Sequence, residues 1–310
     1  MKILSRYSVL EYLLWVRNNH YLVDDRNKEF CDLLNSGYTA LKVFENDSIS
    51  RNSVFKLKMS TKSYIFKQHG PDLDKRKKYF TSEAFALSTS IELIPKLVYK
   101  DKLANVVITE ELIDFKPLSD TLIELKATIP NDLKLREFIK KIAEVVKSIH
   151  NESTLNTENT PKPKYSEDTW KEFLEDKSQL WVNNLTTQFM GYYNTTTYVH
   201  HDLKGKNLLV KDNNIKVLDW EMSEKGDPYY DLCYVIFEIC VALIGKEFLF
   251  TEINNQQVLN WVQGYINIFL KNYNPNVNKI KLKVFFKVIF YDLYNDDFYF
   301  KNIDRCLPNP

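Results

Sequence analysis

The sequence predicts an α+β chain in two lobes, a strand-rich first part followed by a helix-rich second part. Three observations predict it. β-patterned runs separated by turn residues cluster between Ser53 and Leu112. Beyond Leu112 the apolar residues recur at helical spacing. A length of 310 residues is also enough for two compact units.

The elements follow in order. Residues from about Val9 to Leu34 have helical spacing without recognisable chemistry. SVFKLK (Ser53–Lys58) and SYIFKQ (Ser63–Gln68) flank the polar turn MSTK and predict a hairpin. Gly70-Pro71 breaks the pattern, and Asp74–Ser90 reads as a helix carrying Glu83. IPKLVYKD (Ile94–Asp101) and NVVITEEL (Asn105–Leu112) are strand-like again. In LREFIKKIAEVVKSIH the apolar residues Leu135, Phe138, Ile139, Ile142, Val145, Val146 and Ile149 fall on one helix face. A polar, proline-bearing loop follows. From Trp170 onward the chain reads as helical apart from one short hairpin. The expected division is a first lobe over 1–112 and a second over 113–310.

Composition narrows the function classes. The net charge of +1 argues against nucleic-acid and membrane-surface binding, both of which usually need a basic excess. Cys31, Cys233, Cys240 and Cys306 form no CxxC pair, so neither a zinc site nor a disulfide framework is predicted. No signal peptide is visible, and the apolar run Leu232–Gly245 is interrupted by Glu238 and too short for a membrane span. A cytoplasmic location is expected. Scarce glycine, 7 in all, and an aromatic content of 14% suit packed helices, although a codon bias toward Asn, Lys, Ile, Tyr and Phe gives the same composition.

The chemistry concentrates in YVHHDLKGKNLLVKDNNIKVLDWE (Tyr198–Glu221). Leu208–Val210 and Ile215–Leu218 are short apolar runs around a turn, which predicts an antiparallel hairpin. Asn207 precedes the first strand and Asp219 follows the second, so the hairpin would set them side by side at its open end. An amide oxygen and a carboxylate are hard ligands suited to Mg²⁺. Asp202, five residues before Asn207, is placed to accept the proton of an attacking hydroxyl.

HxDxxxxN followed by a strand pair and a second Asp resembles the catalytic core of the protein-kinase-like superfamily. LDWEMSEKGDPYYDL (Leu218–Leu232) resembles the aminoglycoside phosphotransferase and choline kinase group, which carries D-[WF]-E and then G-D-P-x-x-D-L. The resemblance implies a bilobal protein-kinase-like fold, ATP as phosphoryl donor with GTP as the alternative, and Mg²⁺ on Asn207 and Asp219. It implies that Asp202 is the base, that Glu221 faces the site and that Asp231 ties the catalytic loop in place. Lys67 would contact the α/β-phosphates and pair with Glu83, with Glu92 a nearby competitor. In VVITEEL, which resembles the interlobe hinge, the Glu110 carbonyl and Leu112 amide would bind adenine; otherwise these are edge-strand residues without a ligand.

The chain departs from the family at three places. The phosphate-covering loop, expected near Asn46–Ser53, has no glycine, and Ser48, Ser50, Asn52 and Ser53 would donate side-chain hydrogen bonds instead. His201 stands where aminoglycoside kinases usually have glycine. Lys204 is the residue type that touches the transferred phosphoryl group in protein kinases, and it can either do so here or face solvent beside Lys206. The expected acceptor is a hydroxyl of a small molecule. Asp292, Asp296 and Asp297, set among aromatics, are candidates for holding a cationic acceptor or simply a solvated surface. A peptide or protein acceptor is the alternative, and a non-catalytic nucleotide-binding protein the third reading.

Overall fold

A computed structural model gives the fold and describes residues 11–14, 34, 37–42, 52–59, 62–69, 73–89, 91–127, 132–158, 180–245, 253, 255–294 and 305–307. Most of the expected N-terminal helical stretch and of the 46–53 loop lies outside these residues, as do Asp296 and Asp297. The chain forms two units, Met1–Asp114 with Leu218–Met222, and Phe115–Val217 with Ser223–Pro310.

The first unit is built on an antiparallel five-stranded sheet of order β1-β2-β3-β5-β4. Its strands are β1 (Tyr38–Lys42), β2 (Asn52–Met59), β3 (Ser63–His69), β4 (Leu97–Asp101) and β5 (Val106–Glu110). Helix α1 (Leu73–Leu87) connects β3 to β4. The expected hairpin is present, with Phe55 opposite Phe66 and Leu57 opposite Tyr64. Strand alternation sends Phe55, Leu57, Tyr64 and Phe66 into one core with Tyr99, Val106 and Ile108. Helix α1 ends before the expected Ser90, because the hydroxyls of Ser88 and Thr89 bond back to the Ala84 and Ala86 carbonyls.

The second unit is mostly helical. It comprises α2 (Leu118–Ala127), α3 (Asp132–Asn151), α4 (Leu180–Tyr192), α5 (Tyr229–Ile244), α6 (Gln256–Tyr273) and α7 (Lys279–Tyr294). The face of α3 read from the sequence is the buried one. Helix α5 is buried over nearly its whole circumference, which is why the run after Leu232 is so apolar. Among the described residues no helix is long and apolar enough to cross a membrane.

Two small ladders complete this unit. One joins β6 (Lys116–Pro117), β8 (Leu208–Lys211) and β9 (Asn214–Val217), and the other pairs β7 (Thr197–Val199) with β10 (Glu224–Gly226). The hairpin expected around Lys211–Asn214 is β8–β9, with Leu208 opposite Val217. The β7–β10 pair corrects the expectation of a single hairpin after Trp170. Strands of three residues carry too little alternation to register as a period.

Candidate active site

In the first unit, strand geometry selects the side chains that meet. Ile65, Lys67 and His69 alternate with the core residues Tyr64 and Phe66, so they share the other face of β3. Lys67 is not the strand's end, as the sequence suggested: β3 runs on to His69. Helix α1 brings Glu83 to this face, and the 3₁₀ turn Trp220–Met222 packs on α1 with Trp220 fully buried.

The Lys67 ammonium lies 2.5 Å from Asp219 Oδ1, 2.8 Å from Glu83 Oε2 and 3.0 Å from Glu221 Oε2. Burial alone would lower its pKa, but Asp219, Glu83 and Glu221 outweigh that and hold the ammonium well above the usual lysine range. Burial likewise opposes ionisation of Glu83, and Lys67 with His69 overcomes it, holding the carboxyl below its ordinary value. Asn52 Nδ2 donates to Glu221 Oε2 at 2.5 Å. Asp219 sits at φ +62, a left-handed conformation that Asp tolerates better than most residues.

In the second unit the catalytic-loop candidates converge on Asp202. Asn207 Nδ2 donates to the Asp202 carbonyl at 2.8 Å and to its Oδ2 at 3.0 Å. Lys204 Nζ lies 2.5 Å from Asp202 Oδ1 and 5.4 Å from the ring centre of Tyr234. Asp231, fully buried on α5, accepts the His200 and His201 amides, each at 2.8 Å. His150 of α3 places Nε2 3.1 Å from Asp231 Oδ2 and Nδ1 2.8 Å from the Tyr273 hydroxyl of α6. Burial would raise the Asp231 carboxyl, but His150 outweighs it and holds the group below its usual range.

Two glycines sit at close approaches. A Cβ on Gly205 would stand 2.6 Å from Glu238 Oε2, and one on Gly226 2.5 Å from His201 Nε2. Burial pushes the Glu238 carboxyl up. His201 itself has φ +62, a left-handed conformation that glycine adopts without strain.

The remaining sequence candidates are more dispersed. Ser53 lies opposite Gln68 on β2, outside the Lys67 cluster, while its neighbour Asn52 joins that cluster through Glu221. Glu110 closes β5 opposite Tyr64, and its amide donates to the Lys96 carbonyl. Among the described residues the Leu112 amide has no backbone partner. Asp292 lies on α7. Sequence reasoning assigned no role to His69, His150 and Glu238. The first was signalled by its two-residue offset from Lys67, and Glu238 by its place in an apolar run.

Residues 118–266 match the family model described as phosphotransferase enzyme family. The matched segment is a little under half of the chain. It contains Asp202, Lys204, Asn207, Asp219 and the GDPxxDL stretch. No curated protein matches the sequence. Among solved structures, choline kinase LicA from Streptococcus pneumoniae aligns over 91% of this chain and 98% of its own, with TM-score 0.52 and 16% identity. A thermostable mutant of aminoglycoside phosphotransferase APH(4)-Ia, in apo form, aligns over 90% and 96%, with TM-score 0.54 and 15% identity. A further mutant of that enzyme, in ternary complex with ADP and hygromycin B, has TM-score 0.52 over 90% and 96% at 14% identity. Likeness at these identities shows the fold alone, which is the protein-kinase-like one.

Proposed function

We propose that the chain transfers the γ-phosphoryl group of ATP to a hydroxyl of a small molecule, with Asp202 as the base. The observation that supports this most is the 2.8 Å ion pair between Lys67 and Glu83, a strand lysine and a helix glutamate in the order a kinase nucleotide site requires. Lys67 holds the α/β-phosphates. Asp202 takes the proton of the acceptor hydroxyl, whose oxygen bonds to the γ-phosphorus while the bond to the bridging oxygen of ADP breaks. Lys204 sets a cation beside the transferred group. The backbone at Glu110 and Leu112 holds adenine.

The donor set fits magnesium. Both contacts from Asn207 Nδ2 go to Asp202, so the amide turns its oxygen the other way as a hard donor, and Asp219 adds a carboxylate. Asn207 and Asp219 would hold the magnesium, which would supply neutralisation of the phosphate charge. A cytoplasmic location goes with this use of ATP.

A peptide acceptor is the second reading. Lys204 favours it, since its contact with Asp202 matches the protein-kinase residue type at that place. The test is transfer of label from [γ-³²P]ATP to a panel of aminoglycosides, choline, ethanolamine and other alcohols, run beside a protein extract. Label is expected in a small molecule, and Asp202→Ala is expected to lower the rate by about 10³-fold or more while nucleotide binding is kept. Label in polypeptide alone would replace the first reading with the second. Undiminished transfer by the Asp202→Ala variant would remove Asp202 as the base.

A further inference from the structure

We propose that His69 is a positioning residue of the nucleotide site, holding Glu83 and Glu221 so that Lys67 keeps its place; this rests on the kinase reading of that site. His69 is two residues beyond Lys67 on the same face of β3, and its side chain is completely buried. Nε2 lies 2.6 Å from Glu83 Oε2 and Nδ1 lies 3.6 Å from Glu221 Oε2. Those same two oxygens are the ones Lys67 Nζ contacts, at 2.8 and 3.0 Å. The four side chains therefore close a ring in which two nitrogen groups alternate with two carboxylates.

Histidine with two glutamates is also a metal-ligand set, and the ligand atoms of His69, Glu83 and Glu221 lie within 4.8 Å of one another. The geometry points away from chelation. An imidazole binds one ion through one nitrogen, and here each nitrogen addresses a different carboxylate. Lys67 already lies against both acceptor oxygens. A ring with a carboxylate on either side can hold both in place without a metal.

The ring is fixed in place. The His69 amide donates to the Asn105 carbonyl at 3.0 Å, and Phe80 packs edge-on against the imidazole with centroids 6.1 Å apart. Asn52 pins Glu221 from its other side. Removing the imidazole would leave Glu83 and Glu221 facing each other in a buried space with Lys67 as their shared cation. Their repulsion would turn Glu83 away and unseat the lysine.

The test is ADP affinity by isothermal titration calorimetry, which needs no acceptor. His69→Ala is expected to weaken ADP binding about tenfold or more. Glu221→Gln added to that variant is expected to recover most of the loss, because the repulsion is gone; a residue that merely fills space would not be rescued by removing a charge beside it. His69→Gln, which keeps the bulk and one donor, carries the same test if the alanine variant melts below assay temperature. Wild-type affinity in both single variants, or a loss that Glu221→Gln does not recover, overturns the proposal. So does stoichiometric binding of zinc chloride by the wild type that His69→Ala abolishes, since the cluster is then a metal site. Failure of the wild type to bind ADP or transfer phosphate sinks the kinase reading itself and is distinguishable from these outcomes.

Discussion

Gly226 leaves the space that the ring of His201 fills, and a Cβ at residue 226 would stand 2.5 Å from His201 Nε2. The ring also lies against Tyr230, with centroids 4.5 Å apart, so it cannot retreat freely. Gly226→Ala is therefore expected to cost about 1–3 kcal/mol by overpacking, read as a lower midpoint in chemical denaturation. His201→Gly in the same chain should recover part of the loss, because glycine accepts φ +62 and the ring is gone. Recovery stays partial, since the added methyl would also meet Val199 Cγ2 at 2.5 Å.

Asp231 joins the His200–His201 segment to α3 and α5 through two backbone amides and His150. Asp231→Asn swaps one acceptor oxygen for a donor that faces other donors. The expected cost is about 3–5 kcal/mol in unfolding free energy, the range for breaking a buried charge network. A loss under 1 kcal/mol by urea denaturation would mean that the segment holds without it.

Lys67 balances Glu83, Asp219 and Glu221. Lys67→Met leaves these carboxylates uncompensated and should lower stability by about 1–3 kcal/mol, less than for a fully buried pair because Asp219 and Glu221 reach solvent. Lys67→Arg restores the charge without the point geometry, so it should recover stability more than nucleotide affinity. Thermal melts with and without ADP separate the two effects.

The pH dependence follows from Glu83 and Asp231, both held below the usual carboxylate range, against their burial, by Lys67 and His150 respectively. Each group binds its proton more weakly in the fold than in the unfolded chain. Their contribution is complete above the ordinary carboxylate pKa and is lost as pH falls through the lowered folded values. Unfolding free energy should decline from about pH 5 downward. Asp231→Asn should flatten that decline, and an unchanged acid slope in the variant would exclude Asp231 as a contributor.

Much of this was legible in the residues. The β2–β3 hairpin, the buried face of α3 and the β8–β9 turn each carry a period or a turn signal long enough to read. The HxDxxxxN and GDPxxDL strings fall inside the segment that the phosphotransferase family model matches. Other features are not encoded locally. The choice of Glu83 over Glu92 as the partner of Lys67 depends on how α1 lies on the sheet, and the Asn52–Glu221 bond joins residues far apart in the chain. The two-residue offset puts His69 on the face of Lys67, but its partners Glu83 and Glu221 come from a helix and a distant turn that the strand pattern does not encode.

The assignment of Leu218–Met222 to the first unit gives the chain an unusual birth order. A nascent polypeptide can lay down the sheet early, yet it cannot finish that unit until residue 222 has left the ribosome, with residues 115–217 made in the meantime. A fragment ending at Asp114 would lack Trp220, and its Lys67 would keep Glu83 while losing Asp219 and Glu221. Splitting the gene at the visible boundary would thus yield a half that is short of its own last piece, and a permuted gene that restores 218–222 to it is the natural repair.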